Sequence, residues 1–150
     1  MENYKFSSMI LEDVPAVVAI ERQNCASPWN TLCFYSCLNN SIQAYSIKHK
    51  ISNEVVGYFI FEIIVDEVNI YNLGITHELH GQGLGTNVMH KIISLSKAAE
   101  ASKIFLEVNV NNYLAKKLYA KFGFKEISIR KDYYNTPNGY QNASLMCLAL

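Results

Sequence analysis

Three glycines in five positions, Gly81, Gly83 and Gly85 of "HGQGLGTNVMHKI", stand just ahead of a run with helical periodicity. Free N–H groups at the mouth of a helix, approached without side chains in the way, form a nest for a phosphate or pyrophosphate. A plain turn whose glycines relieve backbone strain would use the same residues. Two nucleotide signatures fail on spacing: the dinucleotide fingerprint needs a glycine where Thr86 or Val88 stands, and no lysine follows these glycines where a triphosphate loop requires one. A second candidate is Glu107, in the apolar run "KIFLEV". Alternation places Phe105 and Glu107 on one strand face, Leu106 and Val108 on the other. A glutamate inside a buried strand is expected to have a raised pKa, which suits it to accept a proton near neutral pH; a strand-end or ion-paired glutamate is the plainer alternative. Tyr119 follows twelve residues later among Leu114, Leu118 and Phe122, a core aromatic by its spacing, with a hydroxyl that can point elsewhere.

These residues need elements to hold them. "YKFSSM" alternates like a first strand, and a helix over Val14–Gln23 starts near Glu12 and Asp13 with Pro15 in its first turn. A short helix follows over Thr31–Leu38, capped by Asn30. "QAYSIKH", "VVGYFIFEIIV" and "EVNIYNLGI" read as three strands joined by short turns. Residues 84 to about 100 form an amphipathic helix, since Val88, Ile92, Ile93 and Leu95 recur at its period. "KIFLEV" is a buried strand, and a helix over Tyr113–Lys121, capped by Asn111 or Asn112, ends at Gly123. Two strands, "KEISIRKDY" and "ASLMCLAL", flank a polar loop "YNTPNGYQN". The order β-α-α-β-β-β-α-β-α-β-β is an α/β layout: a mixed sheet with helices on both faces.

At 150 residues the chain is expected to form a single domain, 1–150, with no repeat or linker dividing it. Thirteen basic residues balance thirteen acidic ones, so no global positive field draws it to nucleic acid or anionic lipid. Hydrophobic residues make up 50%, yet no apolar stretch approaches a membrane span. The N-terminus lacks the pattern of a secretory signal, which points to the cytoplasm. Cys25, Cys33, Cys37 and Cys147 form no C-x-x-C pair, and His49, His77, His80 and His90 stand at no zinc-like spacing, so neither disulfides nor a metal site is expected.

The strand "YNLGI", the segment "HGQGLGTNVM", the strand "FLEV" and then "NNYLAKKLYAKFGF" resemble the acetyl-coenzyme A signature of the GNAT N-acetyltransferases. The family loop Q/R-x-x-G-x-G/A is matched by His80-Gly81-Gln82-Gly83-Leu84-Gly85 except at its first position. "SPWN", "DEVNIYNLGI", "LYAKFGF" and the tail from "IRKDYY" onward extend the likeness over nearly the whole chain, toward the ribosomal-protein N-terminal alanine acetyltransferases (RimI).

The resemblance implies a GNAT-type fold, acetyl-coenzyme A as cosubstrate, and the N-terminal amine of a protein as acceptor. It puts the coenzyme's pyrophosphate on the amides of Gly81, Gln82, Gly83, Leu84, Gly85 and Thr86. The pantetheine arm would lie along the backbone of Leu73, Gly74 and Ile75, recognised as a strand is. Glu107 becomes the base, Tyr119 the proton donor to the thiolate, and Asn112 either a coenzyme contact or a helix cap. A peptide acceptor would need a groove, with Trp29, Tyr133 and Tyr134 as its walls. His80 and Gly81 depart from the family pattern and remove fixed positive charge, which Lys91, Lys116 or Lys117 would have to replace. A lysine side chain or polyamine as acceptor, or a non-catalytic acyl-coenzyme A sensor, are the competing readings.

Overall fold

The β-branched and aromatic runs expected as strands pair into sheet. The computed structural model describes residues 1–150. Its strands are β1 (Tyr4–Ser8), β2 (Ile42–His49), β3 (Val55–Ile64), β4 (Glu67–Ile75), β5 (Lys103–Asn109), β6 (Lys125–Thr136) and β7 (Gly139–Ala149). Its helices are α1 (Val14–Asn24), α2 (Thr31–Ser36), α3 (Leu84–Ala98) and α4 (Tyr113–Lys121). The strands form one sheet in the order β1-β2-β3-β4-β5-β7-β6. β4 and β5 run parallel, from Glu67 opposite Lys103 to Ile70 opposite Leu106, whereas β1–β2, β2–β3, β5–β7 and β6–β7 are antiparallel. The mixed α/β sheet and the element order are those expected. Contacts divide the chain into two compact units, Met1–Glu62 with Tyr71–Val88, and Ile63–Ile70 with Met89–Leu150.

In the first unit the core is Met9, Val14, Val17, Val18, Ile20, Phe34, Tyr58 and Ile60. Val14, Val17, Val18 and Glu21 occupy positions i, i+3, i+4 and i+7 of α1, and all four are buried. The stripe therefore ends in a carboxylate. Asp13 stands at the head of α1, but its side chain does not cap the helix. It accepts from Ile10 N at 3.1 Å and Ser46 Oγ at 2.8 Å, and pairs with Lys48 Nζ at 2.9 Å. α2 is shorter than expected, ending at Ser36, with Asn30 Oδ1 accepting from Cys33 N at 2.9 Å as its cap.

In the second unit β5 alternates as predicted, with Ile104, Leu106 and Val108 buried and Phe105 and Glu107 on the other, half-buried face. Asn112 caps α4 by accepting from Ala115 N at 3.2 Å, and Gly123, at φ +95°, ends it. The expected polar loop "YNTPNGYQN" is instead mostly strand. Thr136 lies opposite Gly139, leaving Pro137 and Asn138 as a two-residue turn, and Gly139 has φ +99°. The Thr136 hydroxyl donates to Gly139 O at 2.7 Å and accepts from Asn138 N at 3.2 Å. β6 is the last strand in the order, so its polar side chains lie at a sheet edge, where the alternation of a half-buried strand is not required.

Candidate functional site

The three glycines at the head of α3 are not equivalent. Gly81 (φ +77°) and Gly83 (φ +86°) lie in the left-handed region, and a Cβ on either would meet nothing within 4 Å. Backbone conformation, not crowding, requires them. Gly85 lies within α3 and has no positive φ. The first helical bond runs from Asn87 N to Gly83 O, 3.1 Å, so the amides of Leu84, Gly85 and Thr86 head the helix without an intrahelical acceptor. Those of Gly81, Gln82 and Gly83 likewise donate to nothing in the protein. All six predicted loop residues thus present unsatisfied N–H groups in one turn and helix head, which fits a pyrophosphate. Gln82 Nε2 closes the turn on Glu78 O at 3.3 Å, and the buried Leu84 side chain anchors it.

The end of β4 belongs to the same unit. Its pairing with β5 stops at Ile70, so Tyr71–Ile75 continue with no register on that edge. Gly74 is glycine because a Cβ there would sit 2.6 Å from the Tyr58 hydroxyl oxygen and 2.7 Å from its ring. Two backbone groups of the Leu73–Ile75 segment are engaged by side chains. Leu73 N donates to Asn72 Oδ1 at 2.8 Å, and Ile75 O accepts from Asn24 Nδ2 at 2.9 Å. His80 Nε2 is 2.7 Å from the same Ile75 oxygen. A carbonyl only accepts, so that nitrogen carries a proton. His80 therefore ties the glycine loop to the strand end, a role its spacing did not reveal.

Sequence reasoning missed the buried carboxylate behind this strand. Glu21, 3% exposed, accepts from the Tyr58 hydroxyl at 2.8 Å, Asn72 Nδ2 at 2.6 Å and Trp29 N at 3.2 Å. Its place on the Val14, Val17, Val18 stripe was the available signal.

In the second unit Glu107 is not an isolated buried acid. Its side chain is 24% exposed and its Oε1 lies 3.2 Å from Arg130 Nε. The Tyr133 hydroxyl also donates to it; that bond, with some burial, raises the Tyr133 pKa. The register of β6 against β7 jumps from Arg130–Ala143 to Tyr134–Gln141, a bulge in which Asp132 takes φ +53° and its amide donates to Asn142 Oδ1 at 3.0 Å. Arg130 and Tyr133 flank this bulge, an irregularity that strand alternation gives no means of locating.

Tyr119 is buried, its ring 5.8 Å from that of Phe124, and burial alone pushes its phenol up to about 12. A phenol raised in this way keeps its proton across the neutral range. What it can supply is a hydrogen bond. Asn112 is the cap of α4, as one of its two expected roles required. Lys116 is 4.0 Å from Glu126. Trp29 packs on Phe34 at 5.3 Å, and the Tyr133 and Tyr134 rings meet edge to face at 5.0 Å. The four cysteines are free, and no cluster of three or more His, Cys, Asp or Glu residues is placed to hold a metal. No helix is long and apolar enough to cross a membrane.

The first unit thus holds a nest of unsatisfied amides and, tied to it through His80, the end of β4; the second holds Glu107 paired on β5 and Tyr119 buried on α4. The model of the acetyltransferase (GNAT) family matches residues 14–124, and the chain belongs to that family of acetyl-coenzyme A-dependent N-acetyltransferases. Among its relatives, a Bacillus subtilis protein provisionally named a ribosomal protein bS18 alanine N-acetyltransferase is 35% identical over 143 residues, 95% of this chain and 93% of that one. The Haemophilus influenzae ribosomal protein bS18 alanine N-acetyltransferase is 33% identical over 140 residues, 92% of this chain and 93% of that one. The crystal structure of the Escherichia coli ribosomal-protein-S18-alanine N-acetyltransferase superposes with a TM-score of 0.88 at 27% identity, covering 97% of this chain and 93% of that one.

Proposed function

We propose that this protein, acting as a single 150-residue domain in the cytoplasm, moves the acetyl group of acetyl-coenzyme A to the N-terminal alanine of a ribosomal protein of the bS18 type. The observation that carries this reading is the full-length similarity to the Bacillus subtilis relative, 35% over 95% of the chain. The amides of Gly81 to Thr86 hold the pyrophosphate at the head of α3, and the Leu73–Ile75 edge of β4 aligns the pantetheine arm. Asn112 adds a contact through its amide while its carbonyl caps α4.

The chemistry joins the amine nitrogen to the thioester carbon and breaks the C–S bond. Glu107 takes the proton that the amine gives up, directly or through water. Tyr119 donates a hydrogen bond to the departing sulfur, and the proton that finally neutralises the thiolate comes from solvent. An α-amine of pKa about 7.8 is roughly 10 to 15% neutral at pH 7, whereas a lysine of pKa about 10.4 is neutral only about 0.04% of the time. An N-terminal acceptor therefore asks less of its base than a lysine does.

The test is an acetylation assay with three acceptors: an alanine-starting peptide with the N-terminal sequence of bS18, the same peptide with its N-terminus blocked, and spermidine. Transfer to the free N-terminus alone is expected. Transfer to spermidine but to neither peptide overturns the proposal.

A further inference from the structure

We infer that the last turn of α1 positions the coenzyme strand, with Glu21 as its principal positioning residue acting through Asn72. β4 continues for five residues, Tyr71–Ile75, past the last residue paired with β5, so this stretch lacks a neighbouring ladder on one edge. Side chains from α1 supply what the ladder does not. At one end of Leu73–Ile75, Glu21 grips Asn72 Nδ2 at 2.6 Å, and the other atom of that amide, Oδ1, accepts from Leu73 N at 2.8 Å. At the other end, Asn24 Nδ2 donates to Ile75 O at 2.9 Å. Gln23 Oε1 stands 3.4 Å from both His77 N and the Thr76 hydroxyl. One helical turn thus holds the peptide planes before and after the segment proposed to align the thioester.

The Glu21 carboxylate is 3% exposed, and its three partners are a phenol, an amide and a backbone N–H, with no cation among them. Leaving a carboxylate in that position costs desolvation, which argues for a task that a hydrocarbon side chain on the same stripe would not perform. Its second contact serves the same segment. Tyr58, which donates to Glu21, is the residue whose ring and hydroxyl fill the space a Gly74 side chain would need. The third, Trp29 N, fixes the chain between α1 and α2.

The inference rests on the reading of Leu73–Ile75 as the coenzyme strand, and the experiment separates the two. Wild type, Glu21→Gln, Asn72→Ala, Asn72→Asp and the pair Glu21→Gln/Asn72→Asp are compared for acetyl-coenzyme A binding by calorimetry and for kcat and KM with the alanine-starting peptide. Each is assayed well below its own Tm, with folding checked by circular dichroism. Asn72→Asp sets a second carboxylate against that of Glu21 where a donor stood, so kcat is expected to fall about 10- to 100-fold; Glu21→Gln keeps one oxygen for Asn72 Nδ2 and Trp29 N and is expected to lose less. KM for acetyl-coenzyme A should change far less, because the glycine loop is untouched. Asn72→Ala should reproduce the loss with the Glu21 carboxylate in place, which covers the case in which Asn72→Asp does not fold. In the pair the introduced amide donates to the introduced carboxylate and the Leu73 amide keeps its acceptor, so kcat should recover severalfold over Asn72→Asp, short of wild type because Trp29 N loses the oxygen it shared with Asn72. A kcat unchanged in Asn72→Ala and Asn72→Asp, or a pair no better than Asn72→Asp, overturns the inference. If wild type binds no acetyl-coenzyme A, the reading of the strand fails first and the inference with it.

Discussion

Arg130 Nε sits 3.2 Å from Glu107 Oε1, so the carboxylate proposed as base is held by a cation that is itself 53% exposed. An ion pair this open contributes little to folding, about 1 kcal/mol or less. Replacing Arg130 by Met should therefore leave the urea midpoint almost where it was. The same change frees Glu107 from one of two anchors and leaves the Tyr133 bond, so kcat/KM should drop by less than about tenfold. Glu107→Gln removes the proton acceptor and should cost about a hundredfold or more. Steady-state kinetics on the two variants checks the order. An Arg130→Met enzyme as impaired as Glu107→Gln would make the guanidinium, not the carboxylate, the group that matters.

Tyr119 makes a prediction about alkaline stability. Burial raises its phenol to about 12, against about 10 in the unfolded chain. Between those values the unfolded state has lost the proton and the folded state has kept it, so the stabilisation is whole below pH 10 and disappears as pH climbs through 12. At pH 11 the loss from this one group is about 1.4 kcal/mol. Tyr71, held by Glu62 and raised to about 12, and Tyr133, raised by Glu107, shift in the same direction. Tyr119→Phe should therefore reduce, but not abolish, the fall in unfolding free energy between pH 9 and 11, read by guanidinium titration at each pH. In turnover the same variant should lose about 10- to 100-fold in kcat, the value of one hydrogen bond to developing charge.

The elements were legible in the sequence where one period ran unbroken. α3 and β5 kept their expected patterns, and the Asn30 and Asn112 caps and the Gly123 stop are local chemistry. Legibility failed where tertiary partners decided. Asp13 looked like a helix start, yet its carboxylate went to Ser46 and Lys48, residues over thirty positions away. Glu21 was hidden because a charged residue near the end of a helix reads as solvated, although it lies on the same stripe as Val14, Val17 and Val18. Arg130 and Tyr133 reach Glu107 across a bulge that strand periodicity does not encode. The polar residues of the β6–β7 hairpin read as loop because an edge strand can be polar on both faces.

Gly83 and Gly85 should respond in opposite ways to the same methyl group. At Gly83, φ +86° puts an alanine in the left-handed region, at about 1 kcal/mol or more, and relief of that strain would displace the amides of the nest. Gly83→Ala should lower Tm and weaken acetyl-coenzyme A binding together. Gly85 is an ordinary helical position, where alanine is favoured by up to about 1 kcal/mol, and the family loop accepts alanine there. Gly85→Ala should raise Tm and change coenzyme affinity little. Thermal melts paired with coenzyme titrations check both. Equal effects at the two positions would mean that the loop's glycines serve ligand clearance instead of conformation.

His80 occupies the loop position where the family pattern has Gln or Arg, and here its Nε2 proton is directed at Ile75 O, 2.7 Å away. The ring is thereby engaged with the strand end instead of facing an anion. Its neighbour His77, with ring centroids 4.7 Å apart, stands in the 3-10 turn His77–Leu79 beside Glu78. Glu78 is held below the usual carboxylate range chiefly by the Thr76 hydroxyl and its own backbone amide, so it stays a local negative charge through the physiological range. The nest proposed for the pyrophosphate has backbone dipoles to work with, and phosphate binding should depend only weakly on salt. His80→Arg would add a permanent charge next to that nest. The variant is expected to bind acetyl-coenzyme A several-fold more tightly at about 20 mM salt, with most of the gain gone at about 0.5 M, where the Debye length has shrunk to a few ångströms. His80→Phe keeps the ring but removes the Ile75 bond. It should not change the salt dependence, and it should lower kcat because the Ile75 carbonyl loses one of its two side-chain donors. Coenzyme titrations at the two salt concentrations, with kcat measured on the same preparations, separate the charge from the tie. A wild-type affinity that already falls steeply with salt would show that side-chain cations, not the amides of Gly81 to Thr86, carry the phosphates.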